Sequence, residues 1–113
     1  MTGGKAPRAA GDRFERLVID RLRAFDYLAI RSAGSLGPAD IWAARADRGL
    51  LLISCKVHDR TTARERCEFL GTAMDAGALA LIASKTGRGR IQFVRIHGPS
   101  GLRDPYDIGN AHG

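Results

Sequence analysis

At 113 residues the chain has the length of one domain. A hydrophobic content of 44%, spread over several apolar runs, excludes wholesale disorder. A chain this short buries only about two thirds of its unfolded surface, so self-association would add stability. There are 18 Lys and Arg against 12 Asp and Glu, a formal charge of +6, which makes a polyanion the first partner to consider. Cys55 and Cys67 show no CxxC spacing and His58, His97 and His112 stand apart, so no disulfide framework or zinc site is expected. No run approaches ~18 apolar residues and no signal-type stretch opens the chain, so the expected protein is cytoplasmic and neither exported nor membrane-spanning.

Met1 to Ala10 is Gly-rich and basic and reads as a flexible arm. From Gly11, apolar Phe14, Leu17, Val18, Leu22 and Phe25 recur at spacings of three and four, which predicts an amphipathic helix. Asp12, followed three residues later by Glu15, marks its start. Tyr27 to Arg31 is a short strand, and Ser32 to Gly37 a loop of small residues.

Strands follow at Asp40 to Ala46 and Leu50 to Val57, joined by Asp47-Arg48-Gly49. A glycine closing a three-residue loop suits a hairpin that needs a left-handed residue there. With Ala46 opposite Leu50, Asp40 falls opposite Lys56 with Ser54 on the same face, whereas a one-residue slip would turn every side chain over. Both faces of these strands are apolar, so cover is expected on both sides of the sheet.

Thr62-Ala63-Arg64-Glu65 has capping-box spacing and opens a second helix, with Ala63, Cys67, Leu70 and Met74 expected in the core. Ala78 to Ala83 reads as a buried strand, Ser84 to Arg90 as a polar turn, and Ile91 to Ile96 as a returning strand. His97 to Gly113 is rich in Gly, Pro and Asp, with only Leu102, Tyr106 and Ile108 as anchors, and reads as an irregular tail. The reading is thus an arm over 1–10, an α/β domain over 11–96 and a tail over 97–113. Its order is αβββαββ, a mixed sheet flanked by helices.

A lysine ending a buried strand, near an aspartate that opens the previous one, is the layout of a metal-dependent phosphodiesterase. Such hydrolysis needs a divalent ion to activate water and neutralise the phosphate. Magnesium takes one or two carboxylates plus water and phosphate oxygens, so few acids suffice if they are fixed. Asp40 is the candidate central ligand; after Gly37-Pro38 it is equally a common turn residue. Lys56 would set an ammonium beside the water or phosphate, or simply face solvent. Glu15 is either a helix-capping glutamate or a metal ligand leaning over the sheet. Arg16 and Arg31 would hold phosphate or pair with the acids, and Ser35 would hydrogen-bond a phosphate oxygen. Arg60, Arg64 and Arg66 on the second helix, and Lys85, Arg88 and Arg90 on the polar turn, are further phosphate contacts, although charge runs of this kind are commonly solvated faces.

At Gly11-Asp12-Arg13-Phe14-Glu15-Arg16, Ala29-Ile30-Arg31-Ser32-Ala33-Gly34-Ser35, Asp40-Ile41 and Ile53-Ser54-Cys55-Lys56, the chain resembles the archaeal-type Holliday junction resolvases. These form a branch of the PD-(D/E)xK nuclease superfamily that also occurs in phages. The resemblance implies a restriction-endonuclease-like α/β fold and a homodimer that cuts four-way DNA junctions with Mg2+ or Mn2+. It also implies a site built from Glu15, Asp40, Lys56, Ser35, Arg16 and Arg31, with position 54 in the metal shell. There the family has glutamate and this chain has Ser54.

A neutral hydroxyl is a far poorer magnesium ligand than a carboxylate. Three outcomes stay open: Glu15 and Asp40 suffice with the substrate phosphate; Glu65 or Glu68 substitutes; or the protein binds junctions without cutting them. A nuclease of the same superfamily acting on other DNA is a further reading, since fold does not set substrate.

Overall fold

The computed structural model describes residues 5–32 and 39–109. They form α1 (Lys5–Ala24), β1 (Leu28–Arg31), β2 (Ile41–Arg45), β3 (Gly49–Lys56), α2 (Ala63–Asp75), β4 (Leu79–Gly87), β5 (Arg90–His97) and β6 (Leu102–Pro105). The strands make one sheet in chain order, antiparallel throughout except for the β3–β4 pair. A parallel pair needs a crossover, and α2 supplies it. This is the mixed, helix-flanked sheet expected from the sequence, with a sixth strand added.

α1 lays Phe14, Val18 and Leu22 on one face of the sheet, against Ile41, Leu51 and Ile53. Leu22 is fully buried, and a side chain so placed contributes on the order of 2–3 kcal/mol of transfer free energy. The other face carries Leu52, Ala80, Ile82, Val94 and Ile96, covered by Phe69 and Ala73 of α2. The α2 cover lies over β4 and β5. It leaves Leu28 and Ile30 of edge strand β1 exposed, at 72% and 51%. No helix of the described residues is long and apolar enough to cross a membrane.

The structure corrects several boundaries. α1 begins at Lys5, so residues 5–10, read as arm, are helical. Pro7 falls in the first turn, where a missing N–H costs nothing, and one glycine inside a helix costs only about 1 kcal/mol. Asp12 and Glu15 therefore sit well inside the helix and cap nothing.

The α2 capping box is present as expected: Glu65 N–H donates to Thr62 Oγ1 (3.1 Å) and Thr62 N–H to Glu65 Oε1 (2.8 Å). Of the expected stripe Leu70 packs against the core and Cys67 is half-buried, but Ala63 is exposed and the centre of the stripe is displaced. Phe69 and Ala73 are buried and Met74 is 68% exposed, because the groove over β4 and β5 sets the rotation of the helix. β4 runs on to Gly87, so the expected polar turn shrinks to Arg88-Gly89. The expected tail pairs β6 with β5 and buries Ile108, whose carbonyl accepts from the Tyr27 hydroxyl at 2.9 Å.

The β2–β3 hairpin also differs. Arg45 pairs with Gly49 and Ile41 with Ile53, so the ladder leads Asp40 toward Ser54 rather than Lys56. The turn closes one residue earlier than expected: Arg48 N–H donates to Arg45 O (2.9 Å), and Gly49 takes the left-handed conformation at φ +75°.

Candidate active site

β2 opens out of step with its partner. Asp40 N–H donates to Ile53 O at 2.8 Å, the carbonyl of the residue that pairs with Ile41. An extra residue at a strand end breaks the two-residue alternation of side chains. Ala39 consequently lies in the α2-side core, and the Asp40 carboxylate accepts from Cys55 N–H at 2.7 Å. Its charge acts on the Cys55 thiol, which packs against the α1-side core. One side-chain oxygen thus pins the start of β2 to the end of β3.

Glu15 approaches from α1. Arg31, closing β1, donates from Nε to Glu15 Oε1 (2.8 Å) and from Nη2 to Asp12 Oδ1 (2.5 Å). Hydrogen bonding to Glu15 is the main cause that raises the Arg31 pKa and secures its charge. The Arg31 side chain is 49% exposed, and exposed pairs are worth at most about 1 kcal/mol, so Glu15 exchanges partners cheaply. Burial, then the negative charges of Asp40 and Glu15, push the Cys55 thiol well above its usual range. Cys55 is therefore an inert thiol and no nucleophile.

Ser54 and Lys56 turn the other way. They line a cavity of about 380 Å³ beneath α2, with Thr61, Glu65 and Glu68 on its walls. Ser54 is buried at 2% exposure, while Lys56 is exposed where β3 ends. Glu65 is engaged in the helix cap and Glu68 lies 3.5 Å from Arg64. The expected site residues thus gather at one end of the sheet but on two faces: Glu15, Arg31 and Asp40 toward α1, Ser54 and Lys56 toward α2. Ser35 lies outside the described residues.

Among the described residues no three His, Cys, Asp or Glu side chains cluster as a metal cage. Asp40 and Glu15 offer two carboxylates, each with one oxygen already engaged. That donor set fits a magnesium ion drawing most of its ligands from water and phosphate; it does not fit an all-protein site.

The phosphate-contact candidates divide as well. Arg16 lines a hollow with Asp12, Asp20, Arg23 and Arg31. Arg60 is exposed before α2, and Arg64 pairs with Glu68. Arg66, also read as a phosphate contact, is structural: it donates to Gly101 O (2.6 Å) and Thr61 O. Lys85 shares a hollow with Arg13, Leu17 and Val57 on the α1 side. Arg88 and Arg90 project at the β4–β5 tip, where Arg21 donates to Gly89 O at 3.0 Å. Arg13 and Arg21 are not among the sequence candidates, although their four-residue spacings about Leu17 put all three on one helix face.

A mixed six-stranded sheet with one parallel pair, a helix on each face and Asp40 held at a strand end defines an α/β protein with its candidate site at one end of the sheet. No protein-family model matches the chain, and no curated protein matches it. Among solved structures it is similar to Hjc, a Holliday junction resolvase from the archaeal hyperthermophile Archaeoglobus fulgidus. The TM-score is 0.66 and the identity 24%, over 88% of this chain and 91% of that one. At this identity the likeness is one of fold, and it agrees with the resemblance carried by the sequence motifs.

Proposed function

We propose that the protein is a structure-specific endonuclease that cuts four-way DNA junctions by metal-assisted phosphodiester hydrolysis, acting as a homodimer. The observation that carries this reading is the tether of Asp40 to Cys55 N–H, which fixes a carboxylate where β2 and β3 meet; Glu15 acts on the same Cys55 thiol from α1. Asp40 and Glu15 would hold Mg2+, with Mn2+ able to replace it. The ion supplies an activated water and charge neutralisation at the phosphate.

Glu15 would leave Arg31 to take up this role, which opens the Nε edge of the guanidinium to a phosphate oxygen while Asp12 keeps Nη2. Lys56, at the exposed end of β3 on the α2 side, would have to turn round the strand end to meet the phosphate. Arg16 stands one residue from Glu15 to contact the flanking phosphate, and Ser35 belongs to the same reading. A two-fold dimer suits a junction with two equivalent strands, since one symmetry operation sets two sites at matching phosphates.

One observation favours a second reading, junction binding without cleavage: buried, neutral Ser54 stands where the resemblance calls for glutamate. Incubation with a four-way junction and a linear duplex in magnesium separates the two. Paired nicks on the junction alone support the nuclease. Tight binding without product, unrescued by manganese, supports the second reading.

Asp40→Asn keeps an oxygen for Cys55 N–H and so keeps the fold. It should lower cleavage by more than about 100-fold while leaving junction affinity within about twofold. A variant that still cuts removes Asp40 from the metal site.

A further inference from the structure

We infer that a duplex DNA arm lies along the seam between α1 and the β4–β5 hairpin, and that the cations of α2 do not touch it. The inference rests on DNA being the substrate and identifies the surface that carries it. Arg13 and Lys85 meet in one hollow, Arg21 holds the hairpin tip through Gly89 O, and Arg88 and Arg90 flank that tip. Among the described residues none of these five cations has a carboxylate within ion-pair distance; this is also true of scattered cations such as Arg60 and Arg95, but the five adjoin one another along the seam, whereas Arg31, Arg45, Arg64 and Arg103 are each paired. Charge left uncompensated along a line creates a field that a polyanion fills.

The spacing suits a nucleic acid backbone. Arg13 and Arg21 are two helical turns apart, about 12 Å along α1. Over that length one strand of B-form DNA presents about four phosphates.

The seam is also continuous with the candidate site. Lys85 N–H donates to Val57 O at 3.1 Å, so the line of cations begins one strand away from the end of β3. Lys85 lies on the α1 face, since Leu81 and Ala83 of the same strand pack in the α1-side core. Arg60 and Arg64 belong to the α2 side, and Arg64 is already paired with Glu68. A duplex seated on α1 and the hairpin would leave them in solvent.

Binding of a short linear duplex, measured by fluorescence anisotropy across a salt series in EDTA, tests the inference without any cleavage. Arg88→Ala/Arg90→Ala should lower the absolute slope of log affinity against log salt by about 2, making it less negative by near 0.9 for each phosphate no longer neutralised. Arg60→Gln/Arg64→Gln, an equal reduction of charge, should keep the wild-type slope. Arg13→Gln, on the rigid helix rather than the tip, should lower it by about 1, which guards against a hairpin variant that merely misfolds.

A wild-type slope in the hairpin and Arg13 variants, or a reduced slope in the α2 variant, overturns the inference. Equal binding to anionic vesicles and to duplex would also overturn it, by assigning the seam to a membrane surface. If the slopes change as stated but no junction is ever cut, the seam stands and the nuclease reading falls. If junctions are cut at the wild-type rate by the hairpin variant with its slope intact, the reverse holds.

Discussion

Asp59 lies in the loop between β3 and α2, its side chain 12% exposed. It accepts from Thr61 N–H (3.0 Å), Thr61 Oγ1 (2.6 Å) and Arg103 Nε (2.7 Å). Burial raises its pKa, but these donors more than offset that and bring it down to about 2. An aspartate in an unfolded chain titrates near ~3.9, so the stabilisation is complete above that pH and fades as pH falls toward 2. With the carboxylate partly solvated, it is worth about 1–2 kcal/mol. Urea unfolding of the wild type and Asp59→Asn should show a stability gap near neutral pH that closes by this amount in acid; a gap independent of pH would remove Asp59 as its source. Nothing in the sequence signals this clamp, because Asp59 and Arg103 are 44 residues apart and meet only when β6 returns to the sheet. Asp40 was legible as a candidate from its place before an apolar run, but its bond to Cys55 N–H was not. That bond depends on the offset at the start of β2.

Elements were legible where the signal is local. The α2 capping box involves residues three apart, so its spacing alone is sufficient. The stripe that α2 buries was not, since helical periodicity admits neighbouring stripes and the partner surface chooses between them. The β2–β3 turn shows the same limit: its glycine marks the hairpin, while one residue of ambiguity in the loop moves the ladder. Two glycines test the roles of their elements with opposite signs. Gly49 sits at φ +75°, so Gly49→Ala should destabilise by about 1 kcal/mol or more. Gly71 lies within α2 with open space where a Cβ would go, so Gly71→Ala should stabilise by about 0.5–1 kcal/mol. Thermal melting midpoints should move down and up respectively; a neutral Gly49→Ala would mean that the turn does not need its left-handed residue.

At the scale of the whole molecule, the apolar surface left bare beside β1 is the feature that a dimer would use. Leu28 and Ile30 stand exposed beside the free edge of the sheet. A small domain that covers only part of one sheet face gains by covering the rest with a second copy. Leu28→Lys/Ile30→Lys should convert a dimer to a monomer in sedimentation velocity while leaving far-ultraviolet circular dichroism unchanged. A wild type already monomeric at micromolar concentration, or a dimer untouched by the lysines, would exclude this surface as the interface. The balance of charge was legible from composition, whereas the seam that brings Arg13 and Arg21 of α1 beside Lys85 and the β4–β5 tip emerges only once the helix and the hairpin are side by side.

From the order of residues alone came the class of fold, the mixed sheet, the cap of α2, the basic character and the candidates Glu15, Asp40 and Lys56, because each rests on composition, short-range periodicity or motif. Folding in three dimensions was needed to turn Asp40 toward α1 and Ser54 with Lys56 toward α2, to draw the last segment into the sheet as β6, and to leave β1 half bare. The physical reason is common to all of these. Strand register, the rotation of a helix on its sheet and ion pairs between distant residues are settled by packing among remote parts of the chain, where no local pattern holds the information.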